Sequence, residues 1–318
     1  MTDARATGTP PSGIWRSMRV PLIASAAYLF LSHLLIGLRT EQFVLSGVFS
    51  VLYLLSGATR RWILGFSIFI VFWILFDSMK AFPNYAFNTV HIADLYQWER
   101  SWFGIGTGDA AITPNEYFAT RTSSALDLLS GLFYLCWMPV PLAFAAYLFA
   151  RNKQGFLRFT LTFLLVNLLG FVVYYLYPAA PPWYVEFYGF ELQHGTPGNT
   201  AGLGRFDALT GTAIFSSLYA KSSNVFAAMP SLHAAYPLIV LVTGIRCRLG
   251  WVNVLFALIT VGIWFAAVYS GHHYVVDVLA GILCAVAGIM LFDRLMRWTP
   301  FMDLIARYER AITALPRR

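Results

Sequence analysis

Two short clusters carry the residue types that move protons and phosphoryl groups. One is Ala228-Met-Pro-Ser-Leu-His233, and the other is Tyr269-Ser-Gly-His-His-Tyr-Val-Val-Asp277. His273 and Asp277 are four residues apart, so on a helix they share a face and can touch. A carboxylate beside one imidazole nitrogen fixes the tautomer, leaves the other nitrogen as base or nucleophile, and stabilises the imidazolium that forms. His272 points about 100° away on the same helical wheel and is the poorer partner of Asp277. With His233 as a second imidazole, the set has the parts for nucleophilic catalysis with one general acid–base. Two histidines and a carboxylate can also hold a metal. However, no His-Glu-x-x-His occurs and no zinc-ligand spacing is present, so neither a metal nor any other cofactor is expected. Cys136, Cys247 and Cys284 lie in or beside apolar runs, with no disulfide or metal spacing. His33 stands alone in an apolar run, and His91 and His194 in polar segments read as surface residues.

The elements that must position these groups are membrane helices. Of 318 residues, 58% are hydrophobic and 12% charged, the formal net charge is +7 and the mean hydropathy is +0.63. A soluble domain is about half apolar and about a quarter charged, and a disordered chain needs low hydrophobicity and high charge. Both classes are excluded, which leaves a polytopic membrane protein. Eight apolar runs fit spans, at about 20–38, 43–57, 62–79, 125–150, 156–178, 232–245, 251–270 and 275–296, the second and sixth being short. The first run is long and lacks a cleavage site, so no signal peptide is expected. With a cytoplasmic N-terminus, sixteen of the 22 Lys and Arg residues fall on the inside, against four of the 15 Asp and Glu. This positive-inside bias predicts both termini in the cytoplasm. It also accounts for the basic charge as helix-end anchors, so no nucleic-acid partner is expected. Both chemical clusters then lie at helix ends on the non-cytoplasmic side, where ionisable residues are functional candidates by default.

Two long segments, 80–124 and 179–231, share that side. In the first, Ile92, Leu95, Trp98 and Trp102 recur at helical spacing, with Asp94, Glu99 and Arg100 placed elsewhere on the wheel. This predicts an interfacial amphipathic helix, an aromatic anchor or a guide for lipid substrates. The chain divides into a flexible cytoplasmic tail (1–18), two extra N-terminal spans (19–61), a six-helix catalytic core (62–298) and a basic cytoplasmic tail (299–318).

Pro230-Ser-Leu-His233 and His273-x-x-x-Asp277 resemble the second and third motifs of the type 2 phosphatidic acid phosphatase superfamily. Tyr177-Pro-Ala-Ala-Pro-Pro-Trp-Tyr184, Gly195-Thr-Pro-Gly-Asn-Thr-Ala-Gly-Leu-Gly-Arg205 and His272-His-Tyr-Val-Val-Asp277 are more specifically similar to the inositol phosphorylceramide synthase (aureobasidin-resistance) family within it. The resemblance covers most of 177–281. It implies an all-α fold: a polytopic membrane helix bundle of about eight spans with a six-helix phosphatidic-acid-phosphatase-like core. It also implies phosphoryl transfer through a phosphohistidine, with His273 as nucleophile, Asp277 as its orienting group and His233 as acid–base. The partners implied are lipids, a phospholipid donor such as phosphatidylinositol and a lipid-alcohol acceptor such as ceramide. The sequence sets no oligomeric state.

Where the phosphatases carry basic residues in their first and third motifs, this chain has Gly170, Tyr177 and Ala267, a departure shared with the synthases. A transferring phosphoryl group needs positive charge or aimed N–H donors. Arg205 is the candidate clamp, because its fork matches phosphate. Ser231, Gly198, Asn199, His272 and Lys221 are further candidates for phosphate contact, with the Gly195–Gly204 run offering backbone N–H groups. A lipid phosphatase, acting on phosphatidate or isoprenyl diphosphate with water as acceptor, has the same chemistry and stays open. A transporter would place its charges at mid-membrane on broken helices, unlike the helix-end clusters here.

Overall fold

A computed structural model describes residues 12–220 and 224–313. Lys221 and the residues before Ser12 lie outside them. The helices are, in order, α1 (Ser12–Leu35), α2 (Thr40–Leu55), α3 (Gly57–Ser78), α4 (Ala93–Phe103), α5 (Pro114–Ala119), α6 (Ser124–Leu135), α7 (Pro139–Arg151), α8 (Lys153–Leu176), α9 (Pro182–Tyr188), α10 (Gly204–Thr210), α11 (Ile214–Tyr219), α12 (Leu232–Arg246), α13 (Val252–Tyr269), α14 (Val275–Leu295) and α15 (Thr299–Thr313). Among the described residues only isolated β-bridges occur, such as those joining Ala179 to His91 and to Ala227. The fold is therefore all-α.

Among the described residues six apolar segments are long enough to cross a membrane: α1, α3, α6 with α7, α8, α13 and α14. The second and sixth expected spans are the shorter helices α2, of 16 residues, and α12, of 15. The fourth expected span is not one helix. It breaks at Cys136–Met138 and restarts with Pro139 in the first turn of α7, where a missing N–H costs nothing. Side chains cap several helix starts. Ser56 Oγ accepts the Thr59 N–H at 3.1 Å, Asn152 Oδ1 the Gly155 N–H at 2.9 Å, and Ser231 Oγ the Ala234 N–H at 3.3 Å.

The central helix is α8, which packs on α3, α7, α12 and α14. Lipid tails are as apolar as the helices, so close packing and interhelical hydrogen bonds hold the bundle. Phe72, Phe163, Phe171 and Tyr236 interlock, and the Tyr236 hydroxyl donates to Asn167 Oδ1 at 2.6 Å; such a bond contributes about 1 kcal/mol in a membrane. At Gly281 of α14 any Cβ would run into the Ser231 carbonyl. This small residue lets α14 lie directly against the start of α12, where the Ser231 N–H bonds the Asp277 carbonyl at 2.9 Å.

The extra helices α1 and α2 pack on each other and, through α2, on α3. Helix α1 begins at Ser12, inside the stretch expected as a flexible tail. The stretch expected as a basic C-terminal tail is helical as far as Thr313. Helix α15 buries Ile312 and docks on α3, where the Tyr308 hydroxyl donates to the Leu64 carbonyl at 2.7 Å.

Candidate active site

The start of α12 and the turn from α13 into α14 bring His233, His273 and Asp277 together. His233 Nδ1 and His273 Nε2 are 3.3 Å apart, and His273 Nδ1 is 3.6 Å from Asp277 Oδ2. The pairing of His273 with Asp277 is not the helical one that their spacing suggested. Helix α14 starts only at Val275, and a turn with Gly271 at a φ of 72° delivers His273 to its carboxylate. Both the His272 and the His273 N–H donate to the Ala267 carbonyl, at 3.1 and 3.0 Å. Asn115 Nδ2 braces the turn from outside, donating to the Val268 and His273 carbonyls at 2.8 and 3.0 Å. The Tyr274 N–H holds Asp277 Oδ2 at 2.8 Å.

Nδ1 of His273 faces the Asp277 carboxylate. We assign the ring proton to Nδ1, which leaves the Nε2 lone pair facing His233. Burial pushes His273 down to about 4, against the Ala228 carbonyl, which acts to raise it. At neutral pH the ring is uncharged and nucleophilic. His233 is clamped by aromatic rings, edge-on to Trp137 with centroids 4.7 Å apart and tilted on Tyr134 at 5.1 Å.

His272 points away from this cluster, through the turn and not through a helical offset. Its Nε2 donates to the Thr200 carbonyl at 2.9 Å, and its ring stacks on Tyr219 at 4.4 Å. Burial and the adjacent His273 lower it to about 3. It therefore ties the Gly195–Gly204 segment to the catalytic turn. Asn199 Oδ1 accepts the Ala201 N–H at 2.7 Å, so this side chain shapes the same segment, and Gly198 lines a separate cavity beside α3. Ser231 is fully buried as the cap of α12.

Arg205 sits beyond Gly202 and Ser270. Its Nε donates to Asp127 Oδ1 at 2.6 Å, and the Tyr269 hydroxyl donates to the same oxygen at 2.8 Å. Its hydrogen bonds and ion pair involve these groups and not the two histidines. Its Nη2 is buried without a partner, as are Ser270 Oγ, Ser130 Oγ, His273 Nδ1 and Asp277 Oδ1. The Tyr134 hydroxyl, facing Tyr219, also completes no hydrogen bond. Buried polar groups are normally satisfied. A concentration of unsatisfied ones between α6, Arg205 and the catalytic turn fits a site built for a polar group. A cavity of about 370 Å³ opens beside Arg205, Tyr269 and Ser270. Among the described residues no group of three or more His, Cys, Asp or Glu is arranged to hold a metal ion.

Sequence reasoning missed two residues. Glu99 was placed on the polar side of the interfacial helix, yet it is 0% exposed. It accepts the Val275 and Val276 N–H groups of α14 at 3.0 and 3.1 Å. The signal was present, because Glu99 follows the buried Leu95 by four residues and shares its face. Trp98 and Trp102 do point outward, 43% and 69% exposed. Asp127, the anchor of Arg205, is an acid in the first turn of α6. It deserved the suspicion due to any membrane-edge carboxylate.

The model of the PAP2 superfamily matches residues 107–291, which contain every group of this cluster. The phosphoinositol dihydroceramide synthase of Bacteroides thetaiotaomicron is 45% identical over 294 residues, 92% of this chain and 96% of that protein. The inositol phosphorylceramide synthase of Candida albicans is 35% identical over 171 residues, 51% of this chain and 35% of its own length. The catalytic subunit of the Saccharomyces cerevisiae enzyme is 34% identical over 173 residues, 52% of this chain and 42% of its own length. No solved structure matches. The two histidines and the aspartate that the fold assembles at one end of the bundle thus lie within the matched region, and the chain belongs to the PAP2 superfamily, in its inositol phosphorylceramide synthase branch.

Proposed function

We propose that the protein transfers phosphoinositol from phosphatidylinositol to the primary hydroxyl of a ceramide or dihydroceramide. The observation that carries this reading is the contact of His233 Nδ1 with His273 Nε2, backed by Asp277, in a chain that is similar from end to end to a phosphoinositol dihydroceramide synthase. His273 Nε2 attacks phosphorus, and the bond to the diacylglycerol oxygen breaks as His233, in its imidazolium form, donates a proton to that oxygen. The acceptor hydroxyl then gives its proton to His233 and attacks phosphorus. The P–N bond breaks and both imidazoles are restored. Asp277 stabilises the charge that develops on His273 in each step.

Arg205, fixed by Asp127, is the proposed phosphate clamp, and its unpartnered Nη2 is free to donate. Loop amides of the Gly195–Gly204 segment supplement it. The charge distribution supports a non-cytoplasmic active site with both termini inside. Interfacial helix α4, with its two exposed tryptophans, lies at that surface.

The test uses purified protein in vesicles with head-group-labelled phosphatidylinositol, with and without ceramide. A labelled phosphosphingolipid that forms only with ceramide supports the transfer. Labelled inositol phosphate released without ceramide would instead identify a phosphatase. His273→Ala and Asp277→Asn should lower turnover by about three orders of magnitude; near-normal turnover in either would refute the assignment.

A further inference from the structure

A second cavity opens beside the segments that lead to His233 and His273. It measures about 680 Å³ and sits between the extra helices, the end of α3 and the Gly195–Gly198 loop. Its polar end presents Arg39, Glu41, Gln42, Asp77, Lys80 and Asn224. An apolar groove of about 490 Å³ runs from it between α2 and α3, walled by Val44, Leu45, Val48 and Trp73, and the two share Glu41 and Trp73. Val44 is 58% exposed. A polar chamber continuous with an apolar, exposed groove has the shape of a site for an amphiphile.

The charges choose which amphiphile. Among the described lining residues two cations, Arg39 and Lys80, are matched by two carboxylates, Glu41 and Asp77, and Lys80 Nζ is held by Asp77 Oδ1 at 2.7 Å. Among the described residues these four groups are balanced in charge. The lining has donors and acceptors in mixture, including the buried Asn224 Nδ2, which has no partner. That mixture suits an uncharged head with amide and hydroxyl groups. The chamber also abuts both segments that lead to the catalytic cluster. Gly195–Gly198 continues into Thr200, whose carbonyl holds His272. Val225 and Phe226 continue towards His233 through the bridge between Ala179 and Ala227.

We propose that this chamber and groove seat the acceptor, a neutral long-chain amide-alcohol, with its chain between α2 and α3. The phospholipid donor is held elsewhere, at Arg205. The extra helices, which precede the matched 107–291 region, thereby supply acceptor recognition that the six-helix core lacks. This inference rests on the transfer reading above.

The experiment uses the full chain in nanodiscs of phosphatidylcholine, with a ceramide bearing a photoactivatable diazirine in its acyl chain, and in parallel a diazirine phosphatidylinositol. The ceramide probe should label peptides containing Val44–Val48 or Trp73, and unlabelled ceramide should compete. Val44→Trp fills the groove from an exposed position, so it spares the packed interior. It should raise the acceptor KM about tenfold, the scale of one lost favourable contact, and leave the donor KM within twofold. Asp77→Asn should act in the same direction. Labelling of this region by the phosphatidylinositol probe alone, no labelling by ceramide, or an equal rise of both KM values would overturn the proposal. Labelling is also read on the His273→Ala protein, so it decides the site independently of turnover. A wild-type enzyme that makes no phosphosphingolipid would refute the transfer reading and not the site.

Discussion

Replacing Glu99 by Gln removes a titratable carboxyl from the contact between α4 and the start of α14 while keeping the shape. Glu99 is fully buried, and its two oxygens accept the first N–H groups of α14, two residues before Asp277. Burial lifts its carboxyl from 4.5 to about 7, the two N–H groups pull it down, and the nearby Asp277 pushes it up. The folded protein therefore keeps a proton that the unfolded chain releases between pH 4.5 and about 7. Stability contributed by this group is full below pH 4.5, falls as pH rises through that window, and is level above it. A difference of about 2.5 pH units corresponds to about 3 kcal/mol. Tyr274 and Asp277 face the same carboxylate, but they are present in both proteins and largely cancel in the comparison. The assay is unfolding of the detergent-solubilised protein at pH 5 and pH 8. Wild type should lose about 2.5 kcal/mol more than Glu99→Gln between these pH values. Equal losses, within about 1 kcal/mol, would refute the reasoning.

Asp127→Asn withdraws the carboxylate that fixes the Arg205 guanidinium at 2.6 Å. It should lower kcat/KM for the donor by about tenfold to a hundredfold, the value of a charge-assisted hydrogen bond. Donor titrations check this, and an unchanged kcat/KM would remove Arg205 from the clamp. His273 lies near 4 because burial disfavours its charged form, so the nucleophile is ready across the neutral range. The acid limb of kcat/KM against pH should fall near 4, activity being lost as pH drops through that value. A limb at about 6.5 in the pH–rate profile would contradict the buried, neutral assignment.

The membrane class, the order of the apolar helices and the candidate trio for the proposed chemistry are local or compositional properties. Apolar runs of spanning length have one stable solution in a bilayer, and His233, His273 and Asp277 sit in short motifs whose residue types state their chemistry. What spacing alone could not give was the backbone between them. His273 and Asp277 were expected to meet across a helical turn, yet the Gly271 turn and the late start of α14 bring them together. The break between α6 and α7 and the docking of α15 were hidden for a similar reason, since apolar content reports burial and not the partner.

Contacts across 78 residues, Arg205 with Asp127, and across 176, Glu99 with α14, exist only once the bundle has closed. No periodicity encodes them, because a charged side chain reads as surface until a distant backbone is seen to need it. The sequence by itself thus determined the solvent, the helices and the candidate groups for the chemistry. The tertiary structure alone decided what holds those groups, and it made the chamber between α2 and α3, since cavities and long-range hydrogen bonds belong to packed surfaces and not to segments.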